Sequence, residues 1–356
     1  MRRLLLIMVL ALCGTGLSTA YEADTLTLTF LDVGQADSFL VQAPNGASML
    51  VDAAEPGNAP VVSTYLAEEG IAHLAYVVGT HDHKDHIGGM VQVLSQVTVG
   101  EYLNNGMPLS TELATDLRAY LVDRGIPSRA VSAGDSIALD PANVTVTVLN
   151  PPADRGTDPN EASIALRLAF GRQSFLLAGD TGATAEGWML AAGRPLAAQF
   201  LKVGHHGGIT STGESFVSAV DPSIAVATSG RVRSLDLPGQ AVVKRLQENG
   251  ADVYLTASSG TIRIAASRDG YSLETVLGPE LPLTLPGTAL PPTDRNFDGV
   301  FDDVNGNRRL DFADVVLLFN HLGWIATNEP MARFDFNHNE RVDFADVVRL
   351  FNTIGN

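Results

Sequence analysis

The chain has 356 residues, 45% of them hydrophobic and 18% charged, a globular composition that excludes disorder along the whole length. Forty acidic against 23 basic side chains give a formal charge of −17, a field that repels nucleic acid unless a local basic patch or a bound metal reverses it. The one cysteine, Cys13, excludes an intramolecular disulfide framework and Cys-rich zinc or iron–sulfur sites, so any metal must be held by histidines and carboxylates.

At the start of the chain, Met1-Arg2-Arg3 precedes an apolar run from Leu4 to Leu12, and Ser18-Thr19-Ala20 supplies small residues for cleavage. This is the pattern of a secretory signal over residues 1–20, with the mature chain beginning near Tyr21. The apolar run falls short of the roughly 20 residues that span a bilayer. The expectation is a secreted or cell-surface protein with no stable membrane insertion after cleavage.

From residue 21 to 277 short strands and helices alternate. Thr25 to Leu31 and Asn143 to Leu149 follow a period of two, while Ala75 to Val78 and Phe175 to Ala178 are continuous apolar runs. Helical patterns cover Gly88 to Gln96, Glu112 to Asp123 and Pro238 to Glu248. The spacing predicts a layered α/β (α+β) domain. A proline-rich stretch, 278–292, suits an extended spacer. Beyond it, residues 293–356 contain a repeat: Asp303 to Asp314 and Asp335 to Asp346 match at an offset of 32 residues, each running into an apolar helical segment.

The strongest chemical signal is Thr80-His81-Asp82-His83-Lys84-Asp85-His86, followed by Ile87-Gly88-Gly89. Neutral imidazole and carboxylate suit zinc, manganese or iron, and an apolar strand before the cluster with glycines after it predicts a strand-to-helix loop. Other apolar runs also end in metal-competent groups: Asp52 after Ser48 to Val51, Asp180 after Phe175 to Ala178, and His205-His206 after Phe200 to Val203. The ends of several strands therefore gather around one site, with room for two metals bridged by a carboxylate.

With Leu31-Asp-Val-Gly-Gln-Ala-Asp37, Asn160-Glu-Ala-Ser163, Leu177-Ala-Gly-Asp180 and Leu201-Lys-Val-Gly-His-His-Gly207 in the same order, the chain resembles the metallo-β-lactamase superfamily. More narrowly it resembles the ComEC-like branch, related to the soluble domain of bacterial DNA-uptake channels. The resemblance covers about residues 25–270 and implies a four-layer αββα sandwich with two metals at one edge. It implies His81 and His83 on the first metal, Asp85 and His86 on the second, Asp180 between them, and His205 or His206 completing the second site. Asp52, and Asp32 of the first motif, would support the ligands from behind. The superfamily's usual isolated third histidine is absent, and Asn160 with Ser163 stands in that region. Ala36 and Gly208 replace a usual glycine and serine.

Such a site implies hydrolysis by a metal-activated water, whose pKa falls towards about 7. Asp85, Asn160, Ser163 and Lys202 are the candidate catalytic residues, with Lys202 stabilising charge on the attacked group. The expected substrate is a small-molecule or nucleic-acid phosphodiester. A lactone, a lactam or another small ester is the alternative, as is a binding or scaffold protein with a degenerate metal site.

In the C-terminal repeat, oxygen-bearing side chains recur at loop positions 1, 3, 5, 9 and 12: Asp303, Asn305, Asn307, Asp311 and Asp314, then Asp335, Asn337, Asn339, Asp343 and Asp346. Hard oxygen ligands at this spacing wrap calcium, with a carbonyl of Arg309 or Arg341 at position 7. The absent sixth-position glycine argues against an ordinary EF-hand. The pattern instead resembles a dockerin, a small all-α calcium module that docks onto cohesin domains, which implies a cohesin-like surface protein as partner.

Overall fold

The structure is a computed structural model that describes residues 24–107, 111–230, 237–276, 285–288, 292, 300–307, 309–329, 331–337, 339 and 341–354. The expected signal segment, 1–20, lies outside the described residues, as does most of the proline-rich stretch.

Alternation in the first strand, Leu26–Phe30, turns Leu26, Leu28 and Phe30 towards one core. It pairs antiparallel with Phe39–Gln42, which pairs with Ser48–Val51, and from there His73–Val78, Thr98–Asn104 and Ser128–Ala130 continue the sheet in parallel. Ile262–Ala266 and Tyr271–Thr275 complete eight strands on the other flank. The second sheet has seven strands in the order Asp252–Leu255, Ile224–Ala227, Phe200–Lys202, Gln173–Leu177, Ala165–Phe170, Val144–Asn150 and Ser136–Asp140. Its first four are parallel to one another.

The two sheets face each other across one apolar layer, in which Phe30, Phe39 and Met49 meet Val146, Leu168, Phe175 and Phe200. Helices Ala59–Glu68, Met90–Leu94 and Glu112–Asp123 bury their apolar stripes on the outer face of the first sheet, and Ala183–Ala191, Glu214–Val220 and Gln240–Glu248 on that of the second. This is the mixed α/β fold of two sheets and flanking helices that the sequence predicts.

The helix Glu112–Asp123 forms within its expected bounds because Thr111 accepts from the Ala114 N–H (3.2 Å), and Ala114, Leu117 and Leu121 share one buried face. The helix expected over Gly88 to Gln96 forms only as Met90–Leu94, and a separate short helix, Lys84–Ile87, precedes it. The two glycines between them serve close packing. A Cβ on Gly88 would stand 2.2 Å from the Lys84 carbonyl oxygen, and one on Gly89 2.2 Å from that of Ala53. The histidine loop is thereby pressed against the turn that follows Ser48–Val51, through Ala53 N–H to His86 O and Gly89 N–H to Ala54 O.

The C-terminal region has its own apolar cluster, in which Val304, Leu318, Ile325, Phe334 and Leu350 are buried. Leu285, inside the proline-rich stretch, is 1% exposed and belongs to this cluster, so part of that stretch packs rather than merely spacing. Helices Phe312–Asn328 and Phe344–Thr353 each start from a reciprocal capping box, Asp311 with Asp314 and Asp343 with Asp346.

Candidate metal centre

The carboxyl ends of the parallel strands in both sheets carry the chemistry, as open α/β sheets generally do. Asp52 follows Ser48–Val51, the histidine loop follows His73–Val78, Asp180 follows Gln173–Leu177, and His205-His206 follow Phe200–Lys202.

Asp85, His86, Asp180 and His206 converge so that one ligand atom of each lies within 4.8 Å of all the others. His86 Nε2 is 3.1 Å and His206 Nε2 3.6 Å from Asp180 Oδ2, and His206 Nε2 is 3.4 Å from Asp85 Oδ2. Both histidines are oriented from behind. Asp52 accepts from His86 Nδ1 at 2.8 Å, and the Thr228 carbonyl accepts from His206 Nδ1 at 2.7 Å. Each Nε2 is thus aimed into the cluster. Asp52 is itself held by the Thr80 N–H (2.8 Å) and hydroxyl (2.7 Å).

The backbone strains to make this arrangement. Asp52, His205 and His206 all have φ between 45° and 58°, a region that non-glycine residues seldom occupy.

Two imidazole nitrogens and one carboxylate oxygen at the centre, His86 Nε2, His206 Nε2 and Asp180 Oδ1, are buried without a hydrogen-bond partner. Unpaired buried polar atoms of this kind are costly and call for a ligand. A divalent ion fits the donor set, two imidazoles and two carboxylates being suited to zinc or manganese. Burial opposes a charged ring at His86, yet the Asp180 and Asp52 carboxylates outweigh it and push its pKa well above the ordinary histidine value. Asp180 is held well below the carboxylate range because His86, His206 and Lys202 overcome its burial.

His81 and His83 form a second pair beside this cluster. His81 Nε2 is 2.9 Å from His83 Nδ1, and the His81 and His86 rings are 4.1 Å apart. Burial first, and the neighbouring His86 next, push the His81 pKa well below its usual value, which keeps its ring neutral and able to ligate.

The expectations for single residues divide. Of the adjacent histidines, His206 joins the cluster, 2% exposed, while His205 is one-third exposed with its Nε2 3.9 Å from Asp180 Oδ2. Asp85 is at the open side, 30% exposed. Asn160 is half-buried, with Oδ1 unpartnered.

Two expectations are corrected. Lys202 is fully enclosed, its ammonium on Asp37 and on the Gly179 carbonyl (3.0 Å), so it does not reach a substrate. Ser163 is likewise enclosed. Its hydroxyl meets His81 Nδ1 (3.1 Å) and accepts from the Asp180 N–H (3.2 Å), which makes it a link between two ligands rather than a reacting group. A supporting carboxylate that the sequence reading did not assign is Asp37. The Asp32 N–H donates to Thr261 at the far end of that loop, whereas Asp37 is fully buried against Lys202, His206 and Thr228.

Asp37, Thr80, Thr228 and Glu161 have roles that the sequence reading missed. Glu161 crosses to the start of Ala183–Ala191 and accepts from the Gly182 (3.2 Å) and Ala185 (2.7 Å) N–H groups, satisfying donors at a helix N-terminus. Asp37 and Glu161 both sit inside motifs already singled out, and only the pairing of segments reveals what they touch.

Sequence comparison agrees with this geometry. Residues 31–230 match the Metallo-beta-lactamase superfamily, and the chain belongs to it, a hydrolase fold with an Asp/His cluster able to hold metal. It is similar to "ComE operon protein 3" of Bacillus subtilis, 28% identical over 69% of this chain and 33% of that protein. It is also similar to "Competence protein ComA" of Neisseria gonorrhoeae, 29% identical over 72% of this chain and 34% of that protein. The chain spans about a third of the length of these relatives. Among solved structures it resembles CmlA, a diiron β-hydroxylase from Streptomyces venezuelae, at 16% identity and a TM-score of 0.47 over 68% of this chain and 54% of that one. Among the described residues, no helix is long and apolar enough to cross a membrane.

Proposed function

We propose that the protein is an exported, metal-dependent phosphodiester hydrolase, a nuclease or phosphodiesterase, tethered by a calcium-binding, dockerin-like C-terminal module. The observation that carries the hydrolase reading is the meeting of His86 Nε2, His206 Nε2 and the Asp180 carboxylate as unpaired buried atoms beside the open Asp85. The similarity to competence proteins, and to "Recombination protein 2" of Haemophilus influenzae, supports a nucleic-acid phosphodiester over a lactam or lactone.

Zinc or manganese bound there supplies a Lewis acid and an acidified water at neutral pH. The chain's own residues do the rest. Asp52 and the Thr228 carbonyl hold the two rings with Nε2 forward, and Ser163 ties His81 to the Asp180 backbone. Asp85, with its Oδ2 towards His206 and part of its carboxylate open to solvent, would complete the donor set on the open side of the cluster, and, against its burial, His206 and His86 hold its carboxyl well below the usual carboxylate range, so that it stays ionised. Most of the −17 charge lies in residues 21–290, since residues 291–356 hold eleven acids against six bases. That field favours a small phosphodiester or short strand over tight electrostatic binding of long nucleic acid.

The calcium reading rests on two loops built alike. Asp314 Oδ1 accepts from Asn305 N–H and Asp346 Oδ1 from Asn337 N–H, while Asp303 and Asp335 accept from Asn307 and Asn339 N–H. Asp303, Asp314, Asp335 and Asp346 are buried, and Asn337 Oδ1 is buried without a partner, so these oxygens point inward. An apolar face with the ring pairs Phe312–Phe351 and Phe319–Phe344 suits a cohesin-like partner.

The purified chain, loaded with manganese or zinc, should cleave bis-p-nitrophenyl phosphate or DNA, and Asp85→Ala should abolish cleavage. Turnover of only a lactone or of nitrocefin would overturn the phosphodiester reading.

A further inference from the structure

Behind the candidate metal centre lies an ion pair with no contact to solvent. Asp37 and Lys202 are each 0% exposed, and their side chains pair directly. Replacing a buried pair of this kind by apolar side chains of similar size is often neutral or stabilising, so stability alone gives it little purpose. Its surroundings give it one. The Lys202 ammonium donates to the Gly179 carbonyl at 3.0 Å and stands 3.7 Å from Asp180 Oδ1, while Asp180 Oδ2 faces His86 and His206. Asp37 anchors the lysine from a loop whose backbone is bonded to the ligand loop: its N–H donates to the Asp85 carbonyl (3.0 Å), and its carbonyl accepts from Ala54 N–H (2.9 Å). The Thr228 hydroxyl donates to Asp37 Oδ1, and the same oxygen lies 3.4 Å from His206 Nδ1.

We propose that the Asp37–Lys202 pair is a positioning device for Asp180: the ammonium, 3.7 Å from Oδ1 and not hydrogen-bonded to it, attracts that side of the carboxylate and keeps Oδ2 turned towards His86 and His206. A carboxylate freed from this hold can rotate and take one ion through both oxygens, which weakens its hold on any second ion. The inference rests on the reading of the cluster as a transition-metal centre and goes beyond it, since it assigns to two residues that touch no substrate the control of how many ions are held, and how tightly.

The test uses the full chain and zinc alone as probe, with affinity from competition against a chromophoric chelator, stoichiometry from elemental analysis, and thermal unfolding of the metal-free protein. Lys202→Met leaves Asp37 as an unpaired buried charge and is expected to unfold at lower temperature. The decisive variant is therefore Asp37→Asn with Lys202→Met, which removes both charges together. The expected result is a metal-free unfolding temperature close to that of the unaltered chain, with zinc bound about 10- to 100-fold more weakly. A folded double variant with unchanged affinity and stoichiometry overturns the proposal. Failure of the unaltered chain to bind zinc at all overturns the metal-centre reading, and this inference with it.

Discussion

The two ends of this molecule gather their candidate ion ligands in opposite ways. In the C-terminal repeat the oxygens come from one short loop at a time, and the backbone between Asp303 and Asp314 is folded by its own side chains: Asn307 N–H to Asp303, Arg309 N–H to Asn307, Asp311 N–H to Asp314. At the sheet edge the groups come from widely separated segments, and Asp37 reaches Thr228 across 191 residues of sequence. The local site depends on turn chemistry alone, whereas the distributed site exists only when both sheets are formed and faced. The first can be saved or lost by an ion acting on a small core, while the second is preorganised by a large one.

This contrast can be broken in several places. The largest expected effect is on chemistry. Asp85→Ala should lower metal-dependent hydrolysis by at least about 100-fold while leaving the calcium response of the C-terminal region untouched, read by kinetics and calorimetry on the same protein. A comparable loss of the calcium response would mean that the two sites are not independent.

Next comes calcium itself. At about 100 times the dissociation constant, calcium should stabilise the C-terminal region by about 2.7 kcal/mol, and Asp346→Ala should remove much of this because the same carboxylate closes the capping box of Phe344–Thr353. Thermal unfolding with and without a calcium chelator is the check, and an unchanged transition sinks the loop assignment.

A third effect depends on pH. Burial pushes the Glu186 carboxyl up to about 7, although it accepts from the Thr212 and Gly213 N–H groups. A folded-state pKa above the unfolded value means that the folded chain binds the proton more tightly. Stability from this group is therefore present below about pH 4.5 and lost as pH rises through about 7, a change of roughly 2–3 kcal/mol. Glu186→Gln should flatten that slope in unfolding curves measured from pH 4.5 to 7.5. An unaltered slope would assign the pH dependence elsewhere.

The smallest expected effect serves as a control. Thr111→Ala removes the cap of Glu112–Asp123 and should cost about 1 kcal/mol in denaturant unfolding without changing affinity for either ion. A shift in zinc affinity would show that the outer helices, and not only the strand ends, position the ligands.

Much of the fold was legible because its strands are short and apolar and each ends in a marked residue. The runs before Asp52, His81 and Asp180 could be read directly, and so could the repeat, whose second copy restates the first. The roles of Lys202 and Ser163 were not legible. Residue type suggests that a lysine beside two histidines faces a substrate, and only the facing of the sheets shows that it points inward to Asp37. The choice between His205 and His206 was closed for the same reason: adjacent residues in a left-handed turn diverge, and sequence does not say which ring the Thr228 carbonyl captures. The break between Lys84–Ile87 and Met90–Leu94 follows from close backbone contact at Gly88 and Gly89, which a helical pattern does not register.

The most direct test of the central claim is an anomalous-scattering map from crystals grown with zinc, collected on both sides of its absorption edge. The account predicts a peak bounded by His86 Nε2, His206 Nε2, Asp85 and Asp180 Oδ2, with a further peak permitted beside His81 and His83. Zinc found only elsewhere on the chain, with His86, His206, Asp85 and Asp180 free of it, would contradict the account.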